Sequence, residues 1–375
     1  MPWCLGVRFS SQKIQTENCW SSQRGALTKT LAALTLLPAE WQIFTLIFKG
    51  GLVMQYVNLP NTSVKVSRMF LGTMMFGDQT NEADSLSMID YALDQGVNLL
   101  DTASSYIKGE GEKIVGKGLK GRREKIILAT KLFYPVFDEM NDGGLSRRNI
   151  INCTNASLKR LNTDYVDLMY MHAPDYDTDM EESLDTLSSL VRAGKILYLG
   201  VSNFAAWQIA DILALCDKRG YVKPIISQNP YSLVFRDVER ELLPCLKTHK
   251  MGMCVYNPIA AGLLSGKYKN REVQENTRFT NWKVYHDRYW TEKNLNAVEK
   301  LTAIADKLGI PLINLALRWC IYRSGVSAVI MGVSKLDQLK QNIKIFEEPA
   351  LDDETLKACD KVWEEMEGKT FQYNR

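Results

Sequence analysis

The sequence predicts an eight-stranded (β/α)8 barrel preceded by a short β-hairpin, and three observations carry that expectation. Short apolar runs rich in Ile, Leu, Val and Met alternate with stretches of helical periodicity from Met54 onward, as strands buried on both faces of a parallel sheet do. Eight such units follow one another with no low-complexity linker, at roughly 30–40 residues each, a repeat that closes on itself. Three successive runs end abruptly in polar residues: NLLDTASSY at Asp101 and Tyr106, KIILATK at Lys131, and VDLMYMH at His172. These side chains then emerge together on one side of the sheet, where such barrels carry their chemistry.

In order, YVNLP and VKVSR flank a turn at Asn61 and Thr62 and make the hairpin, a plug for one end of the barrel. MFLGTMMFG is a buried strand ending at Gly72 and Thr73, and DSLSMIDYALDQG is a helix closed by Gly96. NLLD, the helix GEGEKIVGKGLKG and KIILATK follow. SRRNIINCTNASLKRLN is a helix with Ser146 as N-cap. VDLMYMH leads into the helix MEESLDTLSSLVRAG, whose C-terminal glycine is Gly194. The alternation continues through KILYLGVS, AAWQIADILALCDKRG, PIISQN, VERELLPCLKTHK and GMCVYNP. After a long connection come helices near Leu295–Leu308 and Leu312–Tyr322, the strand SAVIMG and a last helix from Lys335.

Residues 1–53 match none of this. They read as a disordered or spurious extension, with the domain running from Met54 to Arg375. The uncharged stretch Trp41–Phe48 is far shorter than the roughly 20 apolar residues of a membrane helix. A net charge of +3 over 375 residues, with no basic run, excludes the nucleic-acid-binding class. Eight cysteines without a CxxC pair argue against a disulfide framework and for a reducing, cytoplasmic setting. The three histidines, His172, His249 and His286, lack ligand spacing, so no metal site is expected.

The four polar residues form a chemical set. Tyrosine is a poor acid at neutral pH because its ordinary pKa is about 10; a nearby ammonium, Lys131, would lower it. A buried lysine needs a counter-ion, and Asp101 is available. His172 could orient a carbonyl oxygen towards Tyr106, giving a site that protonates that oxygen. No side chain delivers a hydride, so such a site needs a cofactor, and nicotinamide is the usual source. No Rossmann fingerprint is present. The run from Gly111 to Gly118 nearly spells a P-loop but ends in Gly where Ser or Thr should bind magnesium, and reads as the start of a surface helix. A dinucleotide would lie across the barrel mouth on the later strands.

DTASSY, LATK, DLMYMH, GVSNF, the Gln228 strand, YNPIAAGLLSGKY and VIMGVSKLDQLKQN closely resemble the aldo-keto reductase superfamily from Met54 to about Glu348. That resemblance implies a TIM barrel reducing aldehydes and ketones with NADPH, whose catalytic Asp, Tyr, Lys and His match Asp101, Tyr106, Lys131 and His172. It places Thr73 and Met74 near the nicotinamide ribose, with Asp101 counted on the cofactor side as well. Ser202, Asn203 and Gln228 would hold the carboxamide, and Tyr256 would stack on the nicotinamide ring. Asn257, Pro258, Ile259, Ala260 and Ala261, with Lys267 and Arg278, match the loop over the pyrophosphate and adenosine. Gly332, Ser334, Gln338, Gln341 and Asn342 match the adenosine grip, at a helix start where phosphate is favoured. Several branches place an Arg at the position of Gln338 to clamp the 2′-phosphate; Lys335 is the candidate substitute here.

The aromatic connection Asn276–Glu292, with Phe279, Trp282, Tyr285, Tyr289, Trp290, Arg278 and Arg288, is similar to the aflatoxin-aldehyde and succinic-semialdehyde reductase branch and to related bacterial reductases. The alternative is that it packs over the outside of the barrel. Another branch serves as a non-catalytic, cofactor-sensing β subunit of potassium channels and shares GLSRRNI and the Gln338 pattern. That branch departs from the tetrad at the histidine position, where His172 stands here. An alcohol dehydrogenase working in the oxidising direction would use the same residues. The expected partner is a small carbonyl compound, with no nucleic acid or membrane, and a homo-oligomer is left open.

Overall fold

The computed structural model describes residues 44–47, 53–268, 270–275 and 277–368. Strands β1 (Phe44–Ile47), β2 (Val53–Asn58) and β3 (Lys65–Ser67) form an antiparallel sheet in that order. Its β2–β3 half is the expected hairpin, turning at Asn61 with a positive φ of 58°, which asparagine tolerates. Strand β1 falls inside the segment read as an extension; apart from it and Val53, residues 1–53 lie outside the described residues.

Eight parallel strands close the barrel: β4 (Met69–Gly72), β5 (Leu99–Asp101), β6 (Ile127–Leu132), β7 (Val166–Met171), β8 (Ile196–Ser202), β9 (Pro224–Pro230), β10 (Gly252–Tyr256) and β11 (Val326–Gly332). Each pairs with the next in chain order, and β11 returns to β4 through Val329 opposite Met69. Val57, Leu59 and Val66 of the hairpin pack with Phe70, Leu99, Leu168, Ile226 and Ala328 inside the barrel. The hairpin therefore plugs the end where the strands begin, and the opposite end is left for a site.

Helices α1 (Glu82–Asp94), α2 (Glu110–Gly118), α3 (Arg147–Leu161), α4 (Met180–Arg192), α5 (Ala206–Arg219) and α6 (Leu242–Thr248) return the chain between strands. Ser146 caps α3 by accepting the Asn149 N–H at 3.3 Å. The long connection carries two short helices, α7 (Arg278–Asn281) and α8 (Lys283–Tyr289), before α9 (Glu292–Lys307) and α10 (Leu312–Ile321). After α11 (Leu336–Ile345) comes α12 (Asp353–Glu367), which the sequence reading did not anticipate. It follows the last repeat unit, outside the strand–helix alternation, and is held to α9 by Lys300–Glu365 at 2.5 Å. No helix among the described residues is long and apolar enough to cross a membrane.

The glycine-rich run of α2 corrects an expectation. It is not a surface helix start: Gly111, Glu112, Gly116 and Gly118 are all buried. A Cβ on Gly116 would stand 2.8 Å from the Arg160 carbonyl oxygen, and one on Gly118 would stand 2.7 Å from Ile89. The glycines let α2 approach α1 and α3 closely, so the near-match to a phosphate loop has a packing cause.

Candidate active site

The strand ends bring the four polar residues together. Asp101 ends β5, Lys131 sits one residue before the end of β6, and His172 follows β7. Tyr106 opens a short 3-10 turn, Tyr106–Gly109, that leads into α2. Lys131 Nζ donates to Asp101 Oδ1 at 2.5 Å, to the Thr102 carbonyl at 2.8 Å and to Tyr106 Oη at 3.3 Å. An ammonium has three donors, and all three are used. Because Tyr106 Oη accepts from the lysine, its own O–H is left to donate into the cleft.

Burial governs the protonation states. It raises the Tyr106 phenol, and the Lys131 charge pulls it back only in part, so the net direction is upward, not the lowering the sequence suggested. Burial opposes the Lys131 ammonium, but Asp101 and the phenol outweigh it and hold the lysine above its ordinary value. Burial, reinforced by Lys131, pushes His172 well below the ordinary imidazole value. A neutral histidine therefore faces Tyr106, the two rings edge-on with centroids 6.1 Å apart.

Above them lies a cleft of about 820 Å3, within the usual size of ligand sites. Thr73, Met74, Asp101, Tyr106, His172, Ser202, Asn203, Gln228, Tyr256, Asn257, Pro258, Ile259 and Ala261 line it, as do Lys267, Arg278, Gly332, Ser334, Gln338, Gln341 and Asn342. Three expected residues are not on the wall. Lys131 is fully buried beneath Asp101 and Tyr106, and Ala260 is fully buried within its loop. Lys335 sits at the N-cap of α11 and is not among the lining residues.

The residues expected at the nicotinamide end are tied to the tetrad. Gln228 Nε2 donates to Asp101 Oδ2 at 2.9 Å. Asn203, at a positive φ of 64°, donates through Nδ2 to the His172 carbonyl at 2.9 Å. Its Oδ1 accepts from Tyr256 Oη at 2.6 Å, so Tyr256 reaches across the barrel mouth. At the other end Arg278 Nη1 donates to Asn257 Oδ1 at 3.2 Å, and its guanidinium lies 5.6 Å from the Tyr285 ring centroid. Among the described residues neither Lys267 nor Arg278 has a carboxylate within ion-pair distance. Two uncompensated cations in a cleft suit phosphate. Gln338 Oε1 accepts from the Ser334 N–H at 3.2 Å.

Sequence reasoning missed Tyr134, whose ring stands edge-on to His172 at 4.9 Å, although its place three residues past Lys131 is a signal that could have found it. Gln79 and Thr277 also line the cleft unannounced. The aromatic connection contributes to the cleft wall and to a ring cluster beside it. Tyr285 and Arg288 face the cleft, while Tyr268, Phe279 and Trp290 form a cluster with ring centroids 5.2–5.4 Å apart.

The fold and this cleft define a barrel oxidoreductase. The aldo/keto reductase family model matches residues 68–364. The chain is 37% identical over 298 residues to a probable voltage-gated potassium channel subunit beta of Arabidopsis thaliana, covering 78% of this chain and 90% of that one. It is 36% identical over 311 residues to human aflatoxin B1 aldehyde reductase member 2, covering 78% and 85%. It is 35% identical over 329 residues to the uncharacterized oxidoreductase YrpG of Bacillus subtilis, covering 84% and 98%. The chain belongs to the aldo/keto reductase family and is an NAD(P)H-dependent oxidoreductase.

Proposed function

We propose that the chain reduces aldehydes and ketones to alcohols with NADPH, using Tyr106 as general acid. The observation that carries this reading is the bonding of Lys131: with its three N–H groups spent on Asp101, Thr102 and Tyr106, the phenol hydroxyl is the proton donor left facing the cleft. When bound, the dinucleotide supplies the hydride that goes to the carbonyl carbon. Tyr106 passes its proton to the carbonyl oxygen, which completes the alcohol, and Lys131 stabilises the phenolate left behind. Asp101 compensates the lysine. His172, neutral, donates a hydrogen bond to the carbonyl oxygen and turns it towards Tyr106.

Ser202, Asn203 and Gln228 would hold the carboxamide, and Tyr256 would cover the ring. Lys267 and Arg278, cations without carboxylate partners among the described residues, would take the phosphates; they support a nicotinamide dinucleotide as the working cofactor, with NADPH the form the resemblance implies. The six described cysteines, all free thiols, fit a cytoplasmic setting.

The test follows NADPH oxidation by absorbance with a panel of aromatic, aliphatic and acidic aldehydes. Aldehyde-dependent consumption that disappears in Tyr106→Phe, with NADPH binding retained, is the expected result; near-normal turnover in that variant would end the assignment. The likeness to a plant protein named as a probable potassium channel β subunit favours one second reading, a cofactor-sensing partner protein. NADPH binding without turnover across the panel would select it.

A further inference from the structure

Glu112 is a fully buried carboxylate that the reaction above does not use. Its Oε1 accepts from Thr130 Oγ1 at 2.6 Å, and its Oε2 accepts from Arg160 Nε at 2.7 Å. Thr130 precedes Lys131 on β6, and because strand side chains alternate, its hydroxyl faces the helices while the lysine faces the barrel. Glu112 lies on α2, directly after the turn that begins at Tyr106. One carboxylate thus ties together the two elements that carry the acid and its ammonium.

That turn needs restraint. Ile107, Lys108 and Gly109 have φ of 47°, 52° and 88°, three consecutive residues in the left-handed region. For a β-branched residue such as Ile107 this conformation is costly and persists only where the surroundings impose it. Arg160 supplies the contact: a Cβ on Gly109 would stand 2.7 Å from its Cδ, so the guanidinium stem lies flat against the turn. We propose that Glu112, gripped by Thr130 and Arg160, is a positioning residue that sets the separation of Tyr106 from Lys131. The inference rests on the reading of Tyr106 as general acid.

Thr130→Val removes one bond of the clamp without changing its bulk, and Thr130→Ser keeps it. In Thr130→Val, kcat for aldehyde reduction falls by about 10- to 100-fold, the scale of a misplaced catalytic group, while the NADPH dissociation constant stays unchanged. The groups facing the phenol are Lys131, Asp101, His172, Tyr256 and Tyr285. Of these Lys131 is the cation, so moving Tyr106 away from it raises the phenol pKa and shifts the basic limb of the pH–rate profile to higher pH. Thr130→Ser restores both quantities. Gly109→Ala, which crowds Arg160 without deleting a bond, is the second route to a displaced turn and shifts the limb in the same direction. A lowered Tm with kcat and the limb unmoved in both variants would make the clamp a structural brace only. With Tyr106→Phe measured alongside, retained turnover there overturns the acid assignment itself; an inactive Tyr106→Phe beside a normal Thr130→Val overturns only the clamp.

Discussion

Gln228 and Asp101, 127 residues apart in sequence, are joined by a hydrogen bond of 2.9 Å that leaves each Asp101 oxygen with one partner, Lys131 on Oδ1 and Gln228 on Oδ2. The residue expected to read the carboxamide is therefore also a support of the charge network beneath Tyr106. Gln228→Leu should weaken both NADPH binding and turnover. A hydrogen bond to a charged group contributes about 1.5–3 kcal/mol, so a loss of roughly one to two orders of magnitude in kcat/KM is expected. Steady-state kinetics with fluorescence titration of NADPH checks it; an unchanged kcat would confine Gln228 to the cofactor.

Lys131→Met removes the cation from beneath the phenol and leaves Asp101 buried without its partner. Turnover should fall by about 100-fold or more. Stability should fall by about 3–5 kcal/mol, the cost of a buried charge stripped of its partner, read as the midpoint shift in urea. Lys131→Met together with Asp101→Asn should recover much of the stability and none of the turnover.

His172 ties stability to acid. Its imidazole is held well below the ordinary value by burial and by Lys131, so above about pH 6.5 both folded and unfolded chains carry it neutral and it contributes nothing. As pH falls below that, the unfolded chain binds a proton that the folded one does not, and stability drops by at most about 1.4 kcal/mol per pH unit. His172→Gln should therefore lose less stability than the parent between pH 6.5 and 5.5. Denaturant melts at the two pH values measure it; identical losses would mean that the folded imidazole titrates normally.

Tyr134→Ala removes the ring that stands edge-on to His172 at the cleft wall. Aromatic pairs contribute about 0.5–1.5 kcal/mol beyond their area, so KM for aromatic aldehydes should rise roughly threefold to tenfold while NADPH affinity holds. Equal changes for aliphatic and aromatic substrates would count against a wall that selects by ring.

Gly116→Ala forces a methyl group to within 2.8 Å of the Arg160 carbonyl. Backbone cannot give way as a side-chain tip can, and a loss of about 1–3 kcal/mol is expected, visible as a lower Tm. Gly121→Ala is the control for a left-handed glycine in open space, with nothing within 4 Å.

Much of this architecture was readable because parallel strands buried on both faces leave uninterrupted apolar runs, and a polar residue closing such a run marks the barrel mouth. Asp101, Lys131 and His172 announced themselves that way. The bonds among them did not: Gln228 to Asp101 and Asn203 to the His172 carbonyl join different strands, and no periodicity encodes which side chains lean together. Ile107 and Lys108 carry no mark of a left-handed turn, since β-branched and long side chains are what sequence rules exclude there. The net rise of the Tyr106 phenol depends on how deeply it is buried, a quantity that residue types alone do not give. Helix α12 lies beyond the strand–helix alternation, so the repeat does not mark it.

The hairpin floor has a bearing on water traffic. Val57, Leu59 and Val66 close the strand-start end with apolar groups, while Tyr106 lines the cleft at the opposite end. If Tyr106 is the acid proposed above, its proton is replaced through the mouth by which ligands come and go. On that reading, reloading the acid waits on departure of whatever covers it.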